Sequence, residues 1–418
     1  MIQQINKYYK LEEFFNSSLQ SHQILHINPC GQQISDQDAL ELGSALANCT
    51  NLSNLTLILY NIKIGVIGVT RLVSALANCT NLSNLTLNLG SNIGDQGTSD
   101  LGYALANCTN LSYLTLDLSD NKICAIGISC LCSALVNCTN LSNLTLDLSD
   151  NKIGSIGAQG LCRALANCKN LSNFTLSLQQ NQIGDQGSLA LGSDLQNYSN
   201  ISNLSLNLSS NQISDKGVSG LGSALSNCTY LSSLKLDLSD NKVGALGISC
   251  LCSALANCIN LSNLTLDFSI NKIGVNVASG LCSSLGNCTN LSSLTLDLSD
   301  NKIGAIGVLG LCSALANCTN ISKLKLTLQN SNIGDQDVSG LGCALANCIN
   351  LSNLILDLSC NQIGNQVASD LGSALANCTN LSYLELNFCK NQIYKKYQLK
   401  VKSKFIKLKR LVDFKLKF

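Results

Sequence analysis

The sequence predicts an α/β fold of stacked strand–turn–helix repeats, with the strands in one parallel sheet and the helices outside it. Three observations lead to this prediction. An Asn-Cys pair recurs about every 30 residues through most of the 418-residue chain. Each interval contains a stretch of alternating leucines, and a stretch with helical spacing follows it. One such unit cannot bury its own apolar side chains, so neighbouring units must pack against each other.

The repeat is marked by one cysteine column. Successive members are 30 residues apart, except for a single step of 29 residues, and Tyr198 stands in the column in one repeat. The column consists of Cys49, Cys79, Cys108, Cys138, Cys168, Cys228, Cys258, Cys288, Cys318, Cys348 and Cys378.

The strand of each repeat is predicted from a period of two. In one unit, Leu144, Leu146 and Leu148 alternate with polar residues, as in a strand with one buried face. Thr145 and Asp147 then point away from the core.

The helix is predicted from spacings of three and four residues. Leu161, Ala164, Leu165 and Cys168 fall on one helical stripe. Cys132, Cys162, Cys252, Cys282 and Cys312 form a second column on this helix. Because both cysteine columns stand where small apolar residues are needed, we expect buried thiols there rather than disulfides or zinc ligands.

The turn between strand and helix contains one asparagine per repeat. A buried amide has two donor hydrogens and an acceptor oxygen, which are enough to tie the turn of one repeat to the next. Ile62, Ser91 and Ser331 replace this asparagine and predict weak joints. The column consists of Asn121, Asn151, Asn181, Asn211, Asn241, Asn271, Asn301, Asn361 and Asn391.

These residues resemble the leucine-rich repeat family. Leu146-x-Leu148-x-x-Asn151-x-Ile153 is similar to the family's core motif, and Gly157, Leu161 and Leu165 resemble its ribonuclease-inhibitor-like subclass. The amino-acid sequence of the repeat is also similar to that of ciliate families, some of which carry a kinase domain. The resemblance implies a horseshoe-shaped solenoid with a concave parallel sheet, convex helices, about 14 strands and about 13 helices.

The two ends predict the domain organisation. Residues 1–20 are expected to be an N-terminal cap, with a helix over 8–19. Residues 21–418 are expected to form a single solenoid whose last unit, 390–418, is a degenerate basic repeat. Shifting the pattern by 30 residues places apolar positions there at Val401, Phe405, Leu408, Leu411, Phe414, Leu416 and Phe418.

Charge and composition limit the class of protein. The chain has 26 Lys+Arg and 25 Asp+Glu, but residues 390–418 hold 11 of the basic residues and one acid. No apolar run is long enough to span a membrane, and the first residues lack a secretory signal. Repeated sequons such as Asn137-Cys-Thr, Asn140-Leu-Ser and Asn143-Leu-Thr would place glycans in the core of a secreted protein. Together with the thiols, this predicts a cytoplasmic protein.

Two columns of outward-facing strand residues are the candidate partner-binding site. In-register aspartates repel one another, which suggests an acidic concave face for a basic protein partner. An equally open alternative is drift after repeat duplication, in which a lysine five residues after each aspartate balances its charge. A metal site fits a straight row of carboxylates poorly. The proposed contacts are Asp117, Asp147, Asp237, Asp267, Asp297, Asp357, Thr115, Thr145, Lys235, Thr265, Thr295 and Lys325.

The last repeat carries a second candidate surface, the basic terminal patch. Anionic lipid contact and head-to-tail docking on the acidic body of another copy are weaker alternatives to a solvated outer face, and nucleic acid is not expected. The patch consists of Lys395, Lys396, Lys400, Lys402, Lys404, Lys407, Lys409 and Arg410.

Catalytic chemistry is thinly represented. His22 and His26 are the two histidines, no nucleophile–base set is evident, and no cofactor or metal is expected. The leading hypothesis is a non-enzymatic scaffold that binds a protein on its concave face. The alternative is a regulator, either linked to a ciliate kinase or acting as a GTPase activator. For the activator, Arg71, Arg163 and Arg410 are all expected in helical segments.

Overall fold

The computed structural model describes residues 5–29, 31–59, 64–90, 93–195, 200–275, 288, 290–406, 408 and 410–418, apart from the side chains of Asp194 and residues 367–369. The chain forms two compact units, Met1–Asn211 and Gln212–Phe418.

The first unit contains eight strands and seven α-helices in its described residues. The strands are parallel and follow chain order within the unit. They are β1 (Ile5–Tyr8), β2 (Ile24–Ile27), β3 (Asn54–Ile58), β4 (Asn84–Asn88), β5 (Tyr113–Asp117), β6 (Asn143–Asp147), β7 (Asn173–Ser177) and β8 (Asn203–Asn207). The helices are α1 (Leu11–Phe15), α2 (Asp36–Ala47), α3 (Val66–Leu76), α4 (Gly94–Leu105), α5 (Ala125–Leu135), α6 (Gly154–Leu165) and α7 (Gly184–Leu195).

The second unit contains seven strands and six α-helices in the part that the structure describes. Its strands are also parallel and in chain order. They are β9 (Ser233–Asp237), β10 (Asn263–Asp267), β11 (Ser293–Asp297), β12 (Lys323–Thr327), β13 (Asn353–Asp357), β14 (Tyr383–Asn387) and β15 (Asp413–Lys417). The helices are α8 (Asp215–Leu225), α9 (Ala245–Leu255), α10 (Gly304–Asn317), α11 (Asp335–Ala346), α12 (Asn365–Leu375) and α13 (Lys395–Ile406).

The N-terminal segment differs from the predicted cap. Instead of one helix over 8–19, strand β1 pairs with β2, and only the five residues of α1 are α-helical. The described chain therefore has fifteen strands rather than fourteen, with thirteen α-helices. Backbone hydrogen bonds to β2 create β1 without any leucine pattern, so no period in the sequence reveals this strand.

The alternation of buried and outward residues in each strand is confirmed. Leu144 and Leu146 are buried, whereas Asn143, Thr145 and Asp147 are half-buried on the opposite face. Each strand residue lies opposite its equivalent in the next strand of the same unit. Equivalent side chains therefore stand in straight columns about 4.8 Å apart.

The asparagine of the turn ties neighbouring repeats together, as predicted. The Asn151 amide nitrogen donates to the carbonyls of Leu118, Leu148 and Ser149 at 2.9–3.0 Å. Its Oδ1 accepts from the backbone N–H groups of Asn121 and Ile123 at 3.1 and 2.8 Å. One buried side chain thus satisfies five backbone groups in two repeats.

Of the three predicted weak joints, Ile62 and Ser91 lie outside the described residues. At the third, the shorter Ser331 hydroxyl donates to the carbonyls of Leu298 and Gln329 at 3.3 and 3.1 Å. It does not reach the N–H groups of Asn301 and Ile303, which have no acceptor in the described part of the chain.

The repeat-column cysteines are all buried, as predicted. The helix ends before the column, however: α6 stops at Leu165, and Cys168 lies in the following turn. Its Sγ donates to the carbonyl of Leu135, the last residue of α5 in the preceding repeat, at 3.7 Å. The Leu135 carbonyl also accepts from the backbone N–H of Cys138 at 3.0 Å, so the small, weakly donating thiol packs against a helix end that is already closed by its own turn. In the second column, Cys312 is half-buried and Cys282 lies outside the described residues.

Some helix starts depend on the preceding repeat for a cap, which the sequence analysis missed. Helix α9 begins after Gly244, which has no side chain to cap it. Asp215 of the preceding repeat accepts from the N–H groups of Gly244 and Gly247 at 2.6 and 2.9 Å. A carboxylate near a helix N-terminus also interacts favourably with the helix dipole. Equivalent bonds are formed by Asp36, Asp95 and Asp335.

The sequon argument is wrong about the core. Asn137 and Asn140 are exposed, and Asn143 is half-buried at the start of β6. The Asn140 amide donates to the carbonyl of Thr109 in the preceding repeat at 3.2 Å. These asparagines face the surface because the buried positions of the same stretch belong to leucine and cysteine.

Replacing Ser331 by asparagine should strengthen the joint between two repeats. The new Oδ1 would accept from the N–H groups of Asn301 and Ile303, so we expect a gain of about 1–2 kcal/mol in the free energy of unfolding. Urea denaturation of the S331N variant measures it. The matched control is N301S, which removes the same amide from a complete joint and should lose at least as much. Equal stability of S331N and the parent chain would contradict the assigned role of this asparagine.

Burial makes the cysteine column a source of alkaline instability. Burial raises the pKa of Cys258 from 9.0 to about 12, and that of Cys79 to about 11. Unfolding lets these thiols ionise near pH 9, while the folded state keeps them neutral. Stability should therefore be intact below pH 9 and fall above it, by about 1.4 kcal/mol per thiol for each pH unit.

Urea denaturation between pH 7 and pH 10 measures this slope. The C258A variant should lose stability less steeply with pH, by the contribution of one thiol. As a control for burial, native-state alkylation followed by mass spectrometry should modify exposed Cys250 and Cys343 first. Rapid labelling of the repeat column in the native protein would contradict this account.

Candidate functional site

The candidate site lies on what we call the open face, formed by the first, third and fifth residue of each five-residue strand. These positions alternate with the buried leucines and are half-buried or exposed. In unit 1 the open face includes Thr115, Asp117, Thr145 and Asp147 on β5 and β6. In unit 2 it includes the remaining predicted site residues, Lys235, Asp237, Thr265, Asp267, Thr295, Asp297, Lys325 and Asp357.

The aspartates of this face are half-buried and hydrogen-bonded to their own chain. Oδ1 of Asp147 accepts from the backbone N–H and the hydroxyl of Ser149 at 3.0 and 2.6 Å. The same pair of bonds joins Asp297 to Ser299 at 2.9 and 2.6 Å. Each carboxylate thus closes a turn as the strand ends. Equivalent bonds are formed at Asp117, Asp237, Asp267 and Asp357.

This turn gives the column a structural role that neither sequence hypothesis contained. Asn207 occupies the same position and accepts the same bonds from Ser209 at 3.1 and 2.8 Å. An amide can therefore take the place of the carboxylate, so this turn uses the acceptor oxygen rather than the charge. The signal in the sequence is the recurring Asp-Leu-Ser spacing.

The supposed balancing lysines do not pair with the aspartates. Lys152 and Lys302 are exposed, and neither forms a salt bridge with the aspartate column in the described residues. The carboxylates instead lie beside one another along the column. Burial, and then the charge of Asp267, raise the pKa of the Asp297 carboxyl. At Asp297 the neighbouring like charge thus adds to the cost of burying the carboxylate.

A shallow depression of about 370 Å³ lies on the open face of unit 2. Of its residues, Thr295 and Lys325 were predicted as partner contacts from the sequence; the others were not, because contributions from four strands meet only after the strands align. The side chains on its rim come from β11 to β14, and they are Ser293, Thr295, Lys323, Lys325, Asn353, Ile355 and Tyr383.

One side of the depression is charge-paired. The Tyr383 hydroxyl donates to Glu385 Oε2 at 3.0 Å, and Lys417 Nζ lies 2.9 Å from Glu385 Oε1. Hydrogen bonds from Lys417 and Tyr383 lower the pKa of the Glu385 carboxyl. Lys415 Nζ donates to the Tyr383 hydroxyl at 3.2 Å and lies 5.4 Å from the ring centre. Tyr383 is thereby held in a fixed orientation.

The basic terminal patch lies on α13 and the turn that follows. Arg410 is exposed in that turn, not in a helix as expected, because α13 ends at Ile406. Lys407 and Lys409 lie outside the described residues. Lys396 Nζ lies 5.1 Å from the centre of the Tyr397 ring. The remaining members are exposed on α13, and they are Lys395, Lys396, Lys400, Lys402 and Lys404.

One histidine makes contacts that superficially resemble a catalytic set. Ser17 Oγ lies 2.8 Å from His22 Nε2, and the Asn6 amide nitrogen lies 2.9 Å from His22 Nδ1. The Ser17 hydroxyl, however, donates its proton to the carbonyl of Phe14 at 2.6 Å. His22 Nε2–H must then donate to the serine, the opposite of what a general base does. Burial also lowers the pKa of His22, so we assign this cluster to packing of the N-terminal segment.

The described residues contain neither a metal-binding cluster nor a membrane-spanning helix. No three His, Cys, Asp or Glu side chains in these ranges are grouped so that they would hold a metal ion. In the same ranges, no helix has the length and apolar character needed to cross a membrane.

Comparisons with known proteins identify the repeat. The family model described as Leucine Rich repeat matches residues 110–132, 140–162, 204–222, 230–252, 290–312 and 352–371. The crystal structure of an internalin (inlF) from Listeria monocytogenes aligns with 97% of this chain and 94% of that chain, with a TM-score of 0.52 and 21% sequence identity. No curated protein matches. The chain therefore contains leucine-rich repeats and has the corresponding fold.

The turn role of the aspartate column is tested by paired substitutions at one position. D147N keeps an acceptor for Ser149, as Asn207 does for Ser209, and should leave the free energy of unfolding unchanged or slightly raised by the loss of repulsion from Asp117. D147A removes the acceptor and should cost about 1–2 kcal/mol. Thermal or urea denaturation of both variants measures the difference, and equal losses would contradict the turn assignment.

Proposed function

We propose that this leucine-rich-repeat chain is a scaffold that binds a partner protein on the open face of its sheet and catalyses no reaction. The observation that carries the proposal is the unequal use of side chains by the fold. Asparagine and cysteine ladders are consumed by contacts between repeats, whereas open-face side chains such as Thr145 and Lys325 form no hydrogen bond or salt bridge in the described residues. A partner protein is the natural user of such a surface.

The threonine and lysine column supports this interpretation. Thr145 and Thr295 are half-buried, and Lys235 and Lys325 are exposed. None of these four side chains has a hydrogen bond or salt bridge in the described residues. Replacing them is therefore expected to change the surface without breaking a contact that holds the repeats together.

The distribution of charge suggests the kind of partner. Carboxylates stand at the ends of the strands, whereas lysines of unit 2 stand at the first and third strand positions, such as Lys323 and Lys325. We propose that the partner is a protein with basic residues opposite the aspartate column. Such complementarity contributes more to the association rate and specificity than to affinity.

The regulatory alternatives lack a supporting observation in the described residues. Arg71 and Arg163 lie exposed on α3 and α6, not on the open face that a GTPase activator would be expected to use. The scaffold hypothesis therefore remains the one that the geometry favours.

Affinity capture from a lysate tests the face and the charge separately. A face variant, T145K with T265K, crowds the open face; Lys235 and Lys325 occupy the same column in the parent chain, so the fold tolerates the substitution. We expect this variant to capture at least tenfold less of any protein that the parent chain captures specifically. A charge variant changes the six column aspartates to asparagine, which keeps the turns, and should lose a partner whose capture is salt-sensitive.

The matched control alters the helical side of the molecule. Ile156 and Leu246 are 74% and 73% exposed on α6 and α9, so I156S with L246S should leave capture unchanged. Loss of the partner in this control, with retention in the face variant, would overturn the proposal. Retention in all variants would instead direct the search to the lysines of α13.

A further inference from the structure

We propose that the depression on β11–β14 binds an acidic segment of the partner protein, with one apolar side chain on Ile355 and Tyr383 and carboxylates on Lys323 and Lys325. The inference rests on the proposed function, since it names the chemistry recognised at one part of the same face. It also adds a second contact with the partner, in which lysines of the open face bind carboxylates, to the one proposed for the aspartate column.

The register of the strands brings the four side chains together. Lys325 lies directly opposite Ile355, and Asn353 lies opposite Tyr383 on the next strand. Lys323 and Lys325 are two positions apart on one strand, so their Cα atoms are about 7 Å apart. Adjacent strands add about 4.8 Å each. The patch is therefore small enough for three or four residues of an extended peptide.

The lysines in and beside this depression differ in whether their ammonium groups have partners. Lys415 and Lys417 are bound by Tyr383 and Glu385 on the neighbouring strand. Lys323 and Lys325 are exposed, and neither ammonium has a hydrogen bond or salt bridge in the described residues. Two like charges on the same face of one strand repel each other. An acidic ligand would relieve this repulsion, which is the charge complementarity on which the proposal depends.

Apolar surface accompanies these lysines. Ile355 stands in a column that is otherwise Lys, Thr or Glu in β9–β14. The Tyr383 ring is held by its hydroxyl bonds and presents a rigid surface with little conformational entropy left to lose. Each is half-buried in the absence of a partner. An apolar side chain placed on them would gain contact area between the two free lysines on one side and the Lys417–Glu385 pair on the other.

The surroundings favour a short acidic segment over a long polyanion. Asp297 and Asp357 stand at the ends of β11 and β13, two residues beyond Thr295 and Ile355 on the same face. A nucleic acid backbone crossing the lysines would meet these carboxylates about 8 Å from Lys325, two residues along and one strand across. A peptide with acids on either side of one apolar residue places its charges only where the lysines are.

The test measures direct binding of labelled peptides to the full chain by fluorescence anisotropy. The probe is a twelve-residue peptide with a central Glu-Phe-Glu sequence in a Gly-Ser background, and the comparison peptides carry Lys-Phe-Lys, Gln-Phe-Gln or Glu-Ala-Glu. We expect salt-sensitive binding of the Glu-Phe-Glu peptide, with each comparison peptide binding at least about threefold more weakly.

Protein variants then locate the site. K323Q with K325Q should weaken the Glu-Phe-Glu peptide about tenfold, and I355T should weaken it while leaving the Glu-Ala-Glu peptide unchanged. The matched control, K272Q with K302Q, removes the same charge from exposed turn positions of unit 2 outside the open face and should have no effect. Unchanged melting curves show that the variants are folded.

Several outcomes would overturn the inference. These are no binding of the acidic peptide, equal binding of the lysine peptide, an equal loss in the control variant, or tighter binding of a single-stranded oligonucleotide at the same lysines. Any of these with continued loss of capture in the T145K/T265K variant would leave the scaffold proposal standing. Peptide binding at Lys323 and Lys325 without any effect of the face variant on capture would instead separate the peptide site from the scaffold function.

Discussion

The structure depends on one side-chain amide per repeat. A single strand–turn–helix unit leaves backbone groups of its tight turn without partners and apolar side chains without cover. The Asn151 amide satisfies carbonyls of two repeats and accepts two N–H groups from the preceding one. Because an unsatisfied buried amide or carbonyl is costly, this ladder fixes the register in which the leucines then pack.

The register in turn decides what the open face presents. Once equivalent residues of neighbouring repeats lie opposite each other, the side chains at every outward position form a column, whether or not their interaction is favourable. The aspartates show the consequence: Ser149 and Ser299 stabilise the turns at Asp147 and Asp297, while equal charges accumulate along the row. A residue retained for a local turn thus acquires an electrostatic effect over a whole surface, and structural and binding roles need not exclude each other.

The same register creates a small patch with different chemistry. Lys323, Lys325, Ile355 and Tyr383 come from three strands, and none belongs to the repeat consensus. Departures from a consensus cost little at Lys323 and Lys325 because neither side chain forms a hydrogen bond or salt bridge in the described residues. At such non-consensus positions a repeat protein gains specificity without losing stability. The proposed partner chemistry is therefore inferred from these residues.

The sequence by itself determined the period, the strand and helix types, the buried leucines and the asparagine ladder, because these depend on residue spacings that recur from repeat to repeat. It also identified the columns of the face. Tertiary structure alone decided the rest. Strand β1 exists through hydrogen bonds to β2, Asp215 caps the helix of the next repeat, and Tyr383 meets Lys415 across strands. Each of these contacts joins distant segments, either once in the described chain or between different positions of two repeats, and a repeat period reveals neither kind.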